Sequence, residues 1–373
     1  MKIVLVSDYY APHVGGGVER VVEEIAVRLA GQGHEVRVLT INPNGYSPRE
    51  IANGVEVVRL PAINFTRLLG FPAALNTNPI LGPYLKDADV IHVHNLFFSL
   101  TALTFAARPR APIVTTMHLG SLSNLRGLTG ILGRMYERTL GRVMLERSAA
   151  VSAVSRAVAR HAAEFGFRGP VDVIPNGVDV ERFRPPLAPN GNNGHGPSVL
   201  FLGRFSRNKG PQFLVEALPH LLRNVPKAHF DFVGDGPMRA ALERRIRDLR
   251  LNGQVSMRGR VSDVVPILQQ TDVVVRPSLT EGMPLAVMEA MACGRAIVAS
   301  RVAGTQEIID DGNNGILVEP GSVESLREGL LRVLKDRESA ARIGARARDW
   351  AVKQMTWDSI TQQYLGLYEE VAS

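Results

Sequence analysis

Short apolar runs alternate with segments of helical periodicity along this chain, and the alternation is started twice. In the first half, residues 2–7, 35–40, 55–60, 90–94, 113–118, 150–155 and 171–174 read as strands. Between the first two, residues 18–30 are apolar at 18, 21, 22, 25, 26 and 29, the spacing of one helical face, and Gly31 and Gly33 close that helix. In the second half, 198–203, 229–233, 254–257, 272–276, 296–299 and 315–318 are strands, and 322–335, 337–350 and 357–371 are closing helices. Strands apolar on both faces need cover on both faces, so each half predicts a parallel sheet between helices. The expected fold class is α/β, with two facing Rossmann-like, doubly wound domains and a ligand cleft between them.

A chain of 373 residues is too long for one compact core. The Pro-, Gly- and Asn-rich stretch 185–197 cannot pack and predicts a flexible linker. It separates an N-terminal, acceptor-side domain (1–184) from a C-terminal, donor-binding domain (198–352), and 353–373 is expected as a last helix packing back toward the first domain. The single cysteine, Cys293, excludes an intramolecular disulfide and, lying in an apolar helix, reads as buried. The apolar run 3–6 is too short for a signal peptide, and no run reaches the ~18 apolar residues of a membrane span. These features predict a cytoplasmic protein.

The net charge of +7 is concentrated in one region. Residues 101–170 hold ten arginines against three glutamates, and the remaining basic and acidic residues balance. Within 125–147, Arg134, Arg138 and Arg142 recur every four residues among Leu, Ile, Met and Tyr, so on a helix they form one ridge. Such a surface attracts anionic lipid headgroups, as on the inner face of a membrane, or anionic acceptors. The competing reading is a plain solvated helix face. No zinc, helix-turn-helix or base-stacking signature accompanies the charge, so nucleic acid is not expected as a partner.

Chemistry-bearing residues gather at the carboxyl ends of the predicted strands, where open α/β sheets bind ligands. Gly15-Gly16-Gly17 follows the first strand and lets the backbone approach a phosphate, although a tight turn explains it equally well. Gly203-Arg204 ends the first strand of the second half and Lys209-Gly210 opens the next helix, so Arg204 and Lys209 can converge on a diphosphate, the Arg as a fork and the Lys as a point charge. Arg276 ends another strand, five residues before Glu281; it either pairs with a glutamate or binds an anion. The run Glu281-Gly282-Met283-Pro284-Leu285 opens a helix whose orphan amides suit an anion, with Pro284 in its first turn and Glu289 eight positions after Glu281. His118 ends the strand 113–118, where a working histidine and a structural one are equally expected. Asp87-Ala88-Asp89 precedes its strand and reads as a turn, and His92 and His94 share a face without a third metal ligand.

Together these residues resemble the retaining glycosyltransferases of family 4, which have the GT-B fold and use nucleotide-sugar donors. The resemblance covers nearly the whole chain. It is carried by Pro12 with Gly15-Gly16, Ile174-Pro175-Asn176-Gly177-Val178-Asp179 with Phe183, Gly203-Arg204, Lys209-Gly210 and Gly234-Asp235-Gly236. Its strongest mark is the segment from Glu281 through Glu289 to Gly294, followed by Gly304 and Glu307. The resemblance implies that Arg204 and Lys209 bind the donor diphosphate, with Gly15 and Gly16 approaching it. It implies that Glu289 holds the ribose, that Glu281 and His118 serve the transferred sugar, and that Arg260 and Val261 flank the base. Pro284 and Leu285 would form the anion site, although Pro284 has no N–H to give. The chain departs from the pattern at Ala296, Ala303 and Leu119. The implied partners are a nucleotide-diphosphate sugar donor and a lipid-linked or saccharide acceptor, and no metal or other cofactor is expected to be essential. Another GT-B activity (epimerase or phosphorylase) and a non-catalytic nucleotide-sugar-binding protein are the alternatives. Were 281–289 wholly helical, its two acids would lie roughly 12 Å apart, too far to share one glycosidic carbon, as befits a clamp on two ends of a donor.

Overall fold

In the computed structural model, residues 1–12, 17–63, 73–74, 78–118, 128–187, 196–251 and 253–373 are described. The chain divides into two compact units, Met1–Asn176 with Trp357–Ser373, and Gly177–Thr356. The first contains, in order, β1 (Lys2–Val6), α1 (Val18–Gly31), β2 (Glu35–Asn42), β3 (Arg49–Ala52), β4 (Val55–Ile63), β5 (Ala73–Ala74), α2 (Asn78–Leu85), β6 (Val90–His94), α3 (Ser99–Ala107) and β7 (Ile113–Met117). After these come α4 (Leu128–Tyr136), a π-helical turn (Glu137–Gly141), α5 (Arg142–Glu146), β8 (Ala150–Ala153), α6 (Arg156–Glu164) and β9 (Asp172–Val173). The strand order is 3-4-2-1-6-7-8-9, with β5 on β4. Every residue of β6 and β7 is buried, including the polar His92, His94, Thr115 and Thr116. The stripe Val21, Val22, Ile25, Ala26 and Leu29 buries one face of α1.

The expectation of a wholly parallel sheet fails at this sheet's edge. Both β3 and β5 run antiparallel to β4. The β3–β4 hairpin closes through Asn53 and Gly54, both at positive φ (52° and 78°), the two-residue turn that Asn-Gly favours. Exposed Arg49 and Glu50 on β3 keep this edge polar.

The second unit contains β10 (Ser198–Leu202), a 3-10 turn (Arg207–Lys209), α7 (Pro211–Asn224), β11 (His229–Val233), α8 (Arg239–Asp248), β12 (Val255–Arg258), α9 (Val265–Gln270), β13 (Val273–Arg276) and α10 (Leu285–Ala292). It closes with β14 (Ala296–Ser300), α11 (Ala303–Gln306), β15 (Ile316–Val318), α12 (Val323–Lys335) and α13 (Arg337–Gln354). All strands are parallel in the order 12-11-10-13-14-15, so the direction of winding reverses between β10 and β13. One face of this sheet holds an aliphatic and aromatic core around Phe201, Phe205, Phe230 and Phe232. Ser322 and Asp336 cap α12 and α13 by accepting from the amides of Ser325 (3.1 Å) and Ser339 (2.8 Å).

The division falls after Asn176, ahead of the linker expected at 185–197. The segment from Gly177 is bound into the second unit: Val178 pairs with Thr356, and Phe183 is buried. One Arg348 nitrogen, Nη1, donates to the carbonyls of Val180, Phe183 and Ala292 at 2.8–2.9 Å. The last helix, α14 (Trp357–Ala372), belongs to the first unit. It buries Ile360, Tyr364 and Tyr368, and its Asp358 accepts from Arg28 Nε of α1 at 2.8 Å. Among the described residues no helix is long and apolar enough to cross a membrane.

Candidate active site

The winding reversal of the second sheet leaves a crevice outside the carboxyl ends of β10 and β13, the place where doubly wound sheets receive ligands. At the end of β10, Gly203 has φ +147°, and a Cβ there would lie 2.2 Å from Arg276 Nη1. The position must therefore be glycine for the Arg276 guanidinium to lie across the strand end. Arg276 is buried; its Nη1 donates to the Leu202 carbonyl and its Nε to Glu281 Oε1 at 2.8 Å. Of the two readings of Arg276, pairing with a glutamate is the one realised, so it is not an open anion or acceptor contact.

Glu281 is the centre of this cluster. Oε1 also accepts from Ser278 Oγ at 2.7 Å, and Oε2 accepts from Lys209 Nζ at 2.7 Å. Burial alone would raise the Glu281 pKa, but the charges of Arg276 and Lys209, with the hydrogen bonds, hold it down at about 2. It is a fixed carboxylate with both oxygens engaged. Ser278 went unnoticed in the sequence, although a serine three residues before a glutamate is a recognised hydrogen-bonding spacing.

Pro284 is not in the first helical turn but immediately before it, as the N-cap of α10, with extended backbone (φ −82°, ψ 104°). The stretch between Glu281 and Glu289 is therefore not wholly helical: Glu281 lies in the preceding loop and Glu289 in the second turn. Leu285 and Ala286 are half-buried and supply the first N–H groups of the helix. Gly304 packs on this loop so closely that a Cβ would fall 2.2 Å from the Gly282 carbonyl oxygen, and its amide donates to the Glu281 carbonyl at 3.2 Å. Glu289 is buried; Arg204 and Arg260 are exposed, and Val261 is half-buried, on the loops that follow β10 and β12. The second unit thus brings Arg204, Lys209, Arg260, Val261, Arg276, Glu281, Pro284, Leu285 and Glu289 to one sheet edge. A concavity of about 600 Å³ lined by Ser198, His229 and Thr271 lies toward the opposite, amino-terminal edge.

In the first unit His118 follows β7 and is buried, and burial lowers its pKa to about 3, so its imidazole is neutral. His94 Nδ1 lies 3.0 Å from His118 Nε2. Asp8, after β1, was not singled out in the sequence. Its carboxylate accepts from the Ser99 amide (2.7 Å), the Ser99 hydroxyl (2.9 Å) and the Leu100 amide (2.9 Å), holding the start of α3. Burial raises the Asp8 pKa to about 6, with these hydrogen bonds opposing the rise. Asp89 accepts from the Lys2 amide at 2.7 Å and Asp87 pairs with Arg37 at 3.2 Å, both away from the strands' carboxyl ends. Gly15 and Gly16 lie outside the described residues.

Arg134, Arg138 and Arg142 are exposed along α4, the π-helical turn and α5, so the ridge is interrupted by a wider turn. Arg142 pairs with Glu146 at 2.7 Å. Ile131, Met135, Leu140 and Val143 are exposed on the same segment.

The sequence profile described as Glycosyltransferase Family 4 matches residues 15–182, and that of glycosyl transferases group 1 matches residues 187–350. The phosphatidyl-myo-inositol mannosyltransferase of Mycobacterium tuberculosis is 32% identical over 100% of this chain and 97% of its own. Sucrose-phosphate synthase from Thermosynechococcus elongatus superposes with a TM-score of 0.85 at 22% identity, covering 99% of this chain and 98% of that one. HepE of Anabaena, solved in complex with UDP-glucose, superposes with a TM-score of 0.79 at 21% identity, covering 99% of this chain and 100% of that one. The two solved structures share the fold. With its two doubly wound units and a relative similar along its full length, the chain belongs to glycosyltransferase family 4 and is a glycosyltransferase of the GT-B fold.

Proposed function

We propose that the chain transfers a sugar, with retention at the anomeric carbon, from a nucleotide-diphosphate sugar to a lipid-linked acceptor. The observation that carries this reading is the cluster Lys209–Glu281–Arg276 at the winding reversal of the second sheet. A leaving nucleoside diphosphate gathers negative charge, and preorganised cations and amides aimed at it stabilise the transition state more than the ground state. Lys209, Arg204 and the amides of Leu285 and Ala286 are the groups assigned to that charge, and they meet it without a metal. Glu289 takes the ribose hydroxyls, and Arg260 and Val261 flank the base. His118 meets the transferred sugar. Both oxygens of Glu281 are held by protein donors, which makes it a poor nucleophile and favours attack from the departing face through an oxocarbenium-like state. In this reading Glu281 fixes Lys209 and offers its remaining lone pairs to sugar hydroxyls.

A lipid-linked acceptor is favoured over a free saccharide by the name of the mannosyltransferase relative, a phosphatidyl-myo-inositol enzyme, and by the exposed apolar and basic segment 131–143. That segment also supports peripheral attachment to an anionic membrane surface. The test is a panel of UDP- and GDP-sugars scored by thermal shift and by nucleotide release. One member should raise the melting temperature by mass action and be turned over with EDTA present. Lys209→Ala should lower turnover by roughly 10²–10³-fold. Full turnover in that variant, or no response to any member, sinks the reading.

A further inference from the structure

β6 and β7 run parallel with His92 opposite Val114 and His94 opposite Thr116. Each β6 histidine reaches the β7-side residue two positions beyond its register partner. His92 Nε2 lies 2.6 Å from Thr116 Oγ1, and His94 Nδ1 lies 3.0 Å from His118 Nε2. The first of these rungs is anchored at both ends: Thr116 Oγ1 meets Ser152 Oγ of β8 at 2.6 Å, and His92 Nδ1 meets the Tyr368 hydroxyl of α14 at 2.6 Å. The His92 and His94 rings lie 4.0 Å apart, so the anchored rung supports the other.

The second rung differs at its far end. His94 is fully buried, and its Nε2 has no partner among the described residues. Burial keeps both rings of this rung neutral, so a single N–H lies between them. If His94 carried its proton on Nε2, that N–H would be a buried donor with nothing to accept it. Such orphaned donors are rarer in protein interiors than under-used acceptors. The proton therefore sits on Nδ1 and is donated to His118 Nε2, which leaves His118 with its own proton on Nδ1. Among the described residues no polar group stands at His94 Nε2 to exchange a proton, so nothing there drives either ring to the other tautomer.

We propose that His94 is a positioning residue: it grips His118 through Nε2 and locks that ring as a neutral Nδ1–H donor. The ligand class this donor suits is a hydroxyl or ring oxygen of the transferred sugar. A neutral donor has a second merit, since an imidazolium would repel the positive charge of an oxocarbenium-like centre. The inference rests on the reading of His118 as a sugar contact.

Histidine-ring ¹⁵N NMR of the wild-type protein tests the lock directly, with His118 assigned by loss of its signals in His118→Ala. Nδ1 of His118 should be protonated and Nε2 bare; the reverse pattern overturns the proposal. In kinetics with UDP-glucose and GDP-mannose as donors, His94→Ala should lower kcat by roughly 10–100-fold, as misorientation does, with the donor KM nearly unchanged. His94→Asn places an amide donor where Nδ1 stood and should recover most of that loss. Wild-type kcat in His94→Ala, or no recovery in a folded His94→Asn, overturns the proposal. Should His118→Ala retain full turnover, the sugar-contact reading fails instead, and the NMR pattern alone decides the lock.

Discussion

Glu281 gathers two cations and a hydroxyl from three parts of one sheet edge, and that arrangement has a stability signature. Its pKa is near 2 in the folded protein against an ordinary 4.5, because the charges of Arg276 and Lys209 overcome the effect of burial. The stabilisation is complete above the unfolded value and is lost as pH falls through the folded one, on the order of 3 kcal/mol across that window. Glu281→Gln keeps the shape but leaves Arg276 buried without its counter-charge, and should destabilise the second unit by about 3–5 kcal/mol in urea unfolding. Ser278→Ala removes one hydrogen bond to the carboxylate and should cost about 1.5–3 kcal/mol. Equal, small losses in the two variants would mean that the cluster is solvated rather than buried. The sequence placed Arg276 and Glu281 near each other but could not choose between pairing and anion binding. That choice depends on Gly203, 73 positions before Arg276, leaving room for the guanidinium, and on Lys209, 72 positions before Glu281, reaching the same carboxylate. Spacing along a chain carries neither fact.

Elements buried on both faces were the most legible. β6, buried throughout, matches its predicted bounds, and so does β11, which buries Phe230 and Phe232 on one face and leaves His229 and Asp231 half-buried on the other. The antiparallel β3 and β5 were not anticipated, since an edge strand that buries little leaves no apolar signature; only Asn53-Gly54 marked the hairpin. The basic ridge was legible as composition, whereas the π-helical turn inside it was not, for no residue type announces such a turn. On α4, the π-helical turn and α5, exposed Ile131, Met135, Leu140 and Val143 accompany Arg134, Arg138 and Arg142. Apolar side chains inserted at a headgroup boundary add area-dependent affinity to the attraction of charge. The triple variant Arg134→Glu, Arg138→Glu, Arg142→Glu should abolish co-sedimentation with phosphatidylserine-containing vesicles. Met135→Ser with Leu140→Ser should weaken it while preserving its salt dependence. Binding unchanged in the charge-reversed protein would remove the membrane surface from the account and leave a solvated helix face.

The two units were legible as two α/β halves, but their boundary was displaced, because the Pro- and Asn-rich composition of 185–197 outweighed the hold of Arg348 on Val180 and Phe183. The same division separates two kinds of buried charge chemistry. In the first unit His92, His94 and His118 are kept neutral by burial, with His92 and His118 near 3 against an ordinary 6.5. Their contribution is full above pH 6.5 and is lost as pH falls, since only the unfolded chain then takes up protons. Asp8, raised to about 6 by burial, acts with the opposite sign between 3.8 and 6 and cancels one proton of the three. A net uptake of about two protons removes on the order of 3 kcal/mol per pH unit near pH 5. In the second unit the Glu281 contribution begins to fail only below 4.5. Acid should therefore unfold the first unit before the second. The chain's two tryptophans report the units separately, Trp357 in the first and Trp350 in the second. Urea unfolding of Trp350→Phe, followed by Trp357 fluorescence, should show a midpoint that falls steeply from pH 7 to 5. The Trp350 signal of Trp357→Phe should move little over the same range. Coincident midpoints at every pH would show that the units unfold as one, and that their separate proton chemistry does not govern acid stability.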